Sequence, residues 1–166
     1  MKIRKRKFNI GIVEDCEFIR ELIQWELSQR SDCKVKCFST GEELLLDKHY
    51  QMDVMVMDYK LNSINKSAMN GVELSKIIEK IPIIAISTQK EPSVVLDLMR
   101  NGICDYIVKD ENFADNIEKS VAKVISYLGQ NKEVKTLTKK NRNHLVRLSI
   151  LFSLIVLFLI ISFLRS

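Results

Sequence analysis

The chain has no C-x-x-C pair, no histidine or cysteine closing the carboxyl ends of its apolar stretches, and no long apolar run near its start. Its four cysteines, Cys16, Cys33, Cys37 and Cys104, therefore read as reduced thiols of a cytoplasmic protein rather than a disulfide framework. A zinc site at Cys33 and Cys37 would need more ligands than the neighbourhood offers. The basic segment 1–7 is followed only by Phe8–Val13 and then by Glu14-Asp15, an apolar stretch too short to read as a signal peptide. Positive charge is also missing where nucleic acid would need it. Residues 8–129 carry 14 Lys and Arg against 20 Asp and Glu, a net of −6, while residues 1–7 carry +5 and residues 130–166 carry +6. An acidic body between two basic flanks is not the pattern of a nucleic-acid-binding domain.

What is present is alternation. In Asp53–Asp58 the four apolar residues Val54, Met55, Val56 and Met57 read as a strand buried on both faces of a parallel sheet. Phe8–Val13, Val35–Phe38, Ile81–Ile86 and Cys104–Val108 read as further strands. Helical spacing covers 17–30 (Phe18, Ile19, Leu22, Ile23, Trp25, Leu27), 41–50 with Leu44, Leu45 and Leu46 inward, and 71–80. Pro92 and Gly102 bracket a fourth helix. A fifth starts near Phe113 and buries Ile117, Val121, Val124 and Leu128. Met55, Met57 and Trp25 are expected to fill the core. Five βα units in alternation mean a doubly wound α/β fold, a parallel sheet covered on both faces.

The strand ends carry the chemistry. The first stops at Glu14-Asp15, the third at Asp58, the fourth at Ser87-Thr88 and the fifth at Lys109. Parallel strands bring these ends together at the edge where open α/β sheets bind ligands. Three converging carboxylates repel, so they need a cation to stay ionised, and an all-oxygen set suits Mg²⁺. Each residue also has a plainer use: Asp58 as a turn former, Ser87 as a helix cap, Lys109 as a surface lysine, Tyr106 as packing.

Taken together in order, these features of residues 8 to about 128 resemble the receiver domain of bacterial two-component response regulators. Gly71-Val72-Glu73-Leu74 resembles the family's G-x-E-L opening of the third helix, and Asn101–Tyr106 its G-A-x-D-Y segment. The resemblance implies a flavodoxin-like, five-stranded sheet of order 2-1-3-4-5. It also implies Mg²⁺ held by Glu14, Asp15, Asp58 and the Lys60 backbone carbonyl. Asp58 would be the phosphoacceptor, supplied by a sensor histidine kinase or phosphotransfer protein. Lys109 and Ser87 would hold the phosphoryl oxygens, and Tyr106 would move with Ser87 as a switch read by an unknown downstream protein. Such a chain is not an enzyme in the ordinary sense but a phosphoacceptor that assists its own phosphotransfer and dephosphorylation. Two departures stand out: Asp110 replaces the proline usual after the lysine, and the 59–70 loop is long, with Asn62 where proline is common. A phosphorylation-independent, membrane-tethered adaptor with the same fold stays open as an alternative. An Asp-nucleophile phosphohydrolase would carry D-x-D, and here the run is Asp58-Tyr59-Lys60.

Past Gly129 the chain changes character. Residues 130–147 are polar and basic, with Val134, Leu137 and Leu145 at loose helical spacing, and read as a juxtamembrane linker. Residues 148–164 are free of charge, 14 large apolar residues and three serines. At 1.5 Å per residue this run spans about 26 Å, close to the hydrocarbon core of a bilayer. It is expected to be a single transmembrane helix. Six cations precede it and one follows, which places the receiver on the cytoplasmic side of a bacterial inner membrane. Ser149 and Ser153, four apart, either let two spans meet in a homodimer or bond carbonyls of their own helix.

Overall fold

The computed structural model describes residues 7–47, 51–62, 64, 66–78, 80–89, 92–100 and 102–164, except for the side chains of 92–94, 97, 135 and 151–164. The elements alternate strictly: β1 (Phe8–Val13), α1 (Glu17–Ser28), β2 (Cys33–Phe38), α2 (Gly41–Leu46), β3 (Val54–Asp58), α3 (Gly71–Ile77), β4 (Ile83–Ser87), α4 (Pro92–Arg100), β5 (Ile103–Val108) and α5 (Phe113–Leu164). All four strand pairings are parallel and the sheet order is β2-β1-β3-β4-β5, as the sequence led one to expect. The chain divides into two compact units, Met1–Ile125 and Ser126–Ser166.

In the first unit the period-two rule sorts the strand residues. Val13, Met55, Met57, Ile83, Ala85 and Ile103 pack with Phe38, Leu44, Leu61, Leu74 and Leu98 in one core cluster. The alternate set, Ile10, Ile12, Val54, Val56, Ile84 and Ile86, lies on the opposite face and is fully buried. On that side α1 supplies Ile23 and Leu27, and α5 supplies Ile117, Val121 and Ile125. An Arg30–Glu118 ion pair links the end of α1 to α5. Every residue of β3 is buried, as its unbroken apolar run requires.

Several inward-facing assignments differ from expectation. Trp25 is 62% exposed and Phe18 72%, so neither is core. Helix α1 is apolar on more than one face, and the side that meets the sheet is the Ile23–Leu27 stripe, four residues apart. In the second helix only Leu44 turns inward, while Leu45 and Leu46 are 38% and 81% exposed. That helix stops at Leu46, and residues 48–50 lie outside the described set. Helix α3 ends at Ile77 rather than Lys80, and β2 begins two residues earlier than the sequence implied. On α5, Ile125 is buried where Val124 and Leu128 are half-buried.

Helix termini explain themselves locally. Thr40 caps α2 through its hydroxyl, which accepts from the Glu43 amide at 3.1 Å. Asn70 and Glu73 form a reciprocal capping box at α3. Gly102 follows α4 at φ +86°, the left-handed conformation that glycine adopts without a Cβ penalty.

In the second unit the helix continues to Leu164. From Glu133 to Ile150 every described side chain is exposed. Among the described residues no helix is long and apolar enough to cross a membrane. The span expected at 148–164 falls, from Leu151 onward, outside the residues whose side chains are described. The Ser149 hydroxyl donates to the Val146 carbonyl at 2.9 Å, a bond within its own helix.

Candidate functional site

The site lies at the carboxyl ends of β1, β3, β4 and β5. Strand order reverses between β1 and β3, which opens a crevice there. Glu14 follows β1, Asp58 closes β3, Ser87 closes β4 and Lys109 follows β5. Register aligns these ends, with Val13 opposite Met57, Asp58 opposite Ile86, and Ser87 opposite Val108.

Lys109 stands between two carboxylates. Its ammonium donates to Glu14 Oε2 at 2.7 Å and lies 3.0 Å from Asp58 Oδ2. Glu14 is fully buried, Asp58 is 5% exposed, and the Lys109 side chain is 11% exposed. Main-chain donors hold the other oxygens: the Cys16 amide bonds Glu14 Oε1 at 3.2 Å, and the Lys60 amide bonds Asp58 Oδ1 at 3.2 Å. Asp15 is half-buried, and its Oδ2 accepts from the Ile64 amide at 3.1 Å. One oxygen each from Glu14, Asp15 and Asp58 falls within 4.8 Å of the others.

Three carboxylates around one ammonium leave an excess of negative charge. Burial, joined by the charge of Asp58, raises the Glu14 carboxyl from its ordinary 4.5 to about 7, and the Lys109 contact only partly offsets this. Burial by itself would lower the Lys109 pKa, but the carboxylates of Asp58 and Glu14 outweigh it and the net direction is upward. The pocket thus holds more negative charge than Lys109 balances, and its carboxylates are hard oxygen donors. Mg²⁺ fits both conditions, with Glu14, Asp15 and Asp58 as the residues that would hold it.

Ser87 and Tyr106 are joined by a residue that sequence reasoning missed. Ser87 is buried, and its Oγ accepts from the Gln89 amide at 3.2 Å. The Tyr106 hydroxyl donates to the Gln89 carbonyl at 2.7 Å, while its ring packs on the core cluster. Gln89 makes both contacts with its main chain, so no side-chain type at 89 could have signalled them.

Two further contributors are Arg20, which left no sequence signal, and Gly71. Arg20 donates to the Glu14 carbonyl at 2.8 Å, steadying the end of β1. Gly71 packs so tightly on β3 that a Cβ there would sit 2.5 Å from the Asp58 carbonyl oxygen. The Gly71 amide donates to the Tyr59 carbonyl at 3.2 Å, fixing the turn after Asp58. Only the G-x-E-L pattern hinted at this glycine.

The absence of proline after Lys109 has a local consequence. The Asp110 amide donates to the Val108 carbonyl at 2.9 Å, closing a tight turn centred on Lys109, a bond proline could not make. The Lys109 amide donates to the Ser87 carbonyl at 2.8 Å, and the Asp110 carboxylate accepts from the Asn112 amide at 3.0 Å. No cis peptide bond occurs among the described residues.

Comparison with known proteins agrees with this fold. The family model described as "response regulator receiver domain" matches residues 10–121. A chemotaxis protein CheY homolog of Campylobacter jejuni is 29% identical over 106 residues, covering 59% of this chain and 78% of that protein. A protein-glutamate methylesterase/protein-glutamine glutaminase of Thermotoga maritima is 24% identical over 111 residues, 63% of this chain, and the match spans only 31% of the methylesterase. Among solved structures, a response regulator receiver domain from Francisella superposes with a TM-score of 0.63 at 20% identity, covering 74% of this chain and 99% of that one. The chemotaxis response regulator CheY4 of Vibrio cholerae gives 0.61 at 21%, covering 71% and 98%.

Proposed function

The chain belongs to the response regulator receiver domain family, and from that premise we propose that it takes a phosphoryl group onto Asp58 and relays the change to a partner protein. The observation that carries this reading is the Lys109 ammonium seated between Glu14 Oε2 and Asp58 Oδ2, beside the third carboxylate of Asp15.

The chemistry follows from the residues. An Asp58 carboxylate oxygen attacks the phosphorus of a phosphohistidine on a sensor kinase or phosphotransfer protein. The new P–O bond forms as the P–N bond breaks, and the imidazole leaves with the bonding pair. Lys109 gives up its contact with Asp58 to pair with an equatorial phosphoryl oxygen, and the Ser87 hydroxyl donates to another. Glu14, Asp15, Asp58 and the Lys60 carbonyl would hold Mg²⁺, which would supply charge neutralisation for these oxygens. Glu14 and Asp15 also hold negative charge near the acyl phosphate and so tune its loss to water.

The output is a change of surface. When the Ser87 hydroxyl turns toward the phosphoryl group it releases the Gln89 amide, and the Tyr106 phenol loses its fixed partner at the same main chain. Residues of α4 and β5 near this loop then repack for a downstream protein. The apolar run at 148–164 anchors the protein by a single membrane span, with the basic residues of 130–147 at the cytoplasmic headgroups.

Incubation of the purified chain with Mg²⁺ and a small phosphodonor, followed by intact-mass measurement, tests the reading. One phosphoryl adduct is expected, dependent on Mg²⁺ and absent from Asp58→Asn. An adduct that survives in that variant, or no adduct with any donor, points instead to an adaptor that works without phosphorylation. For the anchor, the full chain is expected to stay with membranes in high salt and to leave them in detergent. Release by salt alone would mean a purely electrostatic contact.

A further inference from the structure

Lys109 is fastened at its root from two sides. Its amide donates to the Ser87 carbonyl at the end of β4 at 2.8 Å, and the Asp110 amide donates to the Val108 carbonyl at 2.9 Å. The second bond closes three residues into a turn with Lys109 at its centre. Among the described residues no non-glycine φ is positive, so this is the inverse γ-turn, whose central ψ lies at about +65°. Lys109 is thus the last residue held to the sheet and the one at which the chain turns away. Beyond it Asp110 serves the start of α5. Its carbonyl accepts from the Phe113 amide at 3.2 Å, and its carboxylate accepts from the Asn112 amide at 3.0 Å.

A lysine carries its charge on a flexible four-carbon stem, so its reach alone does not fix where the ammonium goes. Here that ammonium meets Glu14 Oε2 at 2.7 Å and Asp58 Oδ2 at 3.0 Å, on a side chain that is only 11% exposed. With the far end so confined, the course of the main chain through Lys109 decides whether the charge arrives. That course is set upstream by the bond to Ser87 and downstream by the Asp110 N–H.

We infer that residue 110 is a positioning residue for Lys109: its amide, by closing the turn on Val108, aims the ammonium at Asp58. Proline at 110 would remove this N–H and drive Lys109 toward a ψ of about +120 to +160°. Because Phe113 and Ile117 hold α5 in the core, that rotation is taken up at Lys109 itself. The proline usual after the family's lysine is therefore a loss in this chain.

The expected loss rests on the reading of Asp58 as phosphoacceptor. Phosphoryl uptake by the full chain, from a small phosphodonor at saturating Mg²⁺, is timed by intact mass. The proteins are wild type, Asp110→Asn, Asp110→Ala, Asp110→Pro, Lys109→Ala and the Lys109→Ala/Asp110→Pro double variant. The Ala variant loses the bond to Asn112 but keeps the turn, and the Asn variant keeps both. Asn and Ala are expected to stay within about two-fold of wild type and Pro to be slower by about ten-fold or more, as misplaced reacting groups are. The double variant should be no slower than Lys109→Ala alone, because residue 110 acts through that side chain. Asp110→Pro at the wild-type rate, Asp110→Ala as slow as Asp110→Pro, or losses that multiply in the double variant would each overturn the inference alone. A wild type that takes up no phosphoryl group would overturn the reading of Asp58 and the inference with it. Should Asp110→Pro fail to fold, amide exchange in the wild type decides. The Asp110 amide is expected to exchange several-fold more slowly than that of Glu111, which has no such bond among the described residues, and equal rates would overturn the inference.

Discussion

Replacing Glu14 by glutamine isolates the cost of a buried negative charge. In the wild type the Glu14 carboxyl is fully buried beside Asp58 and is raised from 4.5 to about 7. Below pH 4.5 the group is protonated in both folded and unfolded chains and contributes no difference. Between 4.5 and about 7 the folded chain holds the proton more tightly than the unfolded one, so stability falls as pH rises through this window. At ~1.4 kcal/mol for each tenfold difference in proton affinity, the full loss is about 3 kcal/mol. For a domain of this size that corresponds to a fall in Tm of about 10 °C between pH 4.5 and 8. Thermal melts of metal-free protein across this range, wild type against Glu14→Gln, measure it. The difference between the two curves should grow as pH rises. Adding Mg²⁺ should flatten the wild-type curve, because a bound cation favours the ionised carboxylate, and should leave the Gln variant almost unmoved. Parallel curves with and without Glu14, in metal-free buffer, would refute the electrostatic account of this pocket.

Gly71→Ala puts a Cβ 2.5 Å from the Asp58 carbonyl, against backbone that cannot yield cheaply. Denaturant unfolding should show a loss of about 1–3 kcal/mol, and phosphoryl uptake at Asp58 should fall with it. Trp25→Ala removes a side chain that is 62% exposed, and stability should stay within about 0.5 kcal/mol of wild type. A larger change in the same denaturant assay would place Trp25 in the core after all.

Much of the first unit was legible because its strands announce themselves. The run Val54–Met57 can only be a strand buried on both faces, and the acidic residue that ends it lands at the sheet edge by topology alone. Glu14, Asp58 and Lys109 converge because three parallel strands stop in line. Helix faces were harder to read. Phe18, Leu22 and Trp25 make as good an apolar stripe as Ile23 and Leu27, and nothing local says which one meets the sheet. In Leu44-Leu45-Leu46 a six-residue helix can turn only one leucine inward. The bonds that position the site were the least visible, since the Gln89, Ile64 and Lys60 contacts use main-chain groups that every residue but proline carries.

The link between Ser87 and Tyr106 through the main chain of Gln89 has a genetic consequence. A connection made by an amide and a carbonyl does not use the side chain that decorates it, so a substitution at position 89 keeps both bonds wherever the buried space around Gln89 Oε1 accepts the new side chain. A saturation screen for signalling defects would mark Ser87 and Tyr106 as sensitive and pass over the residue that joins them. Proline alone, lacking the N–H that reaches Ser87 Oγ, would stand out there. An alanine scan, which leaves the main chain of position 89 in place, would therefore miss the two bonds by which it joins its neighbours.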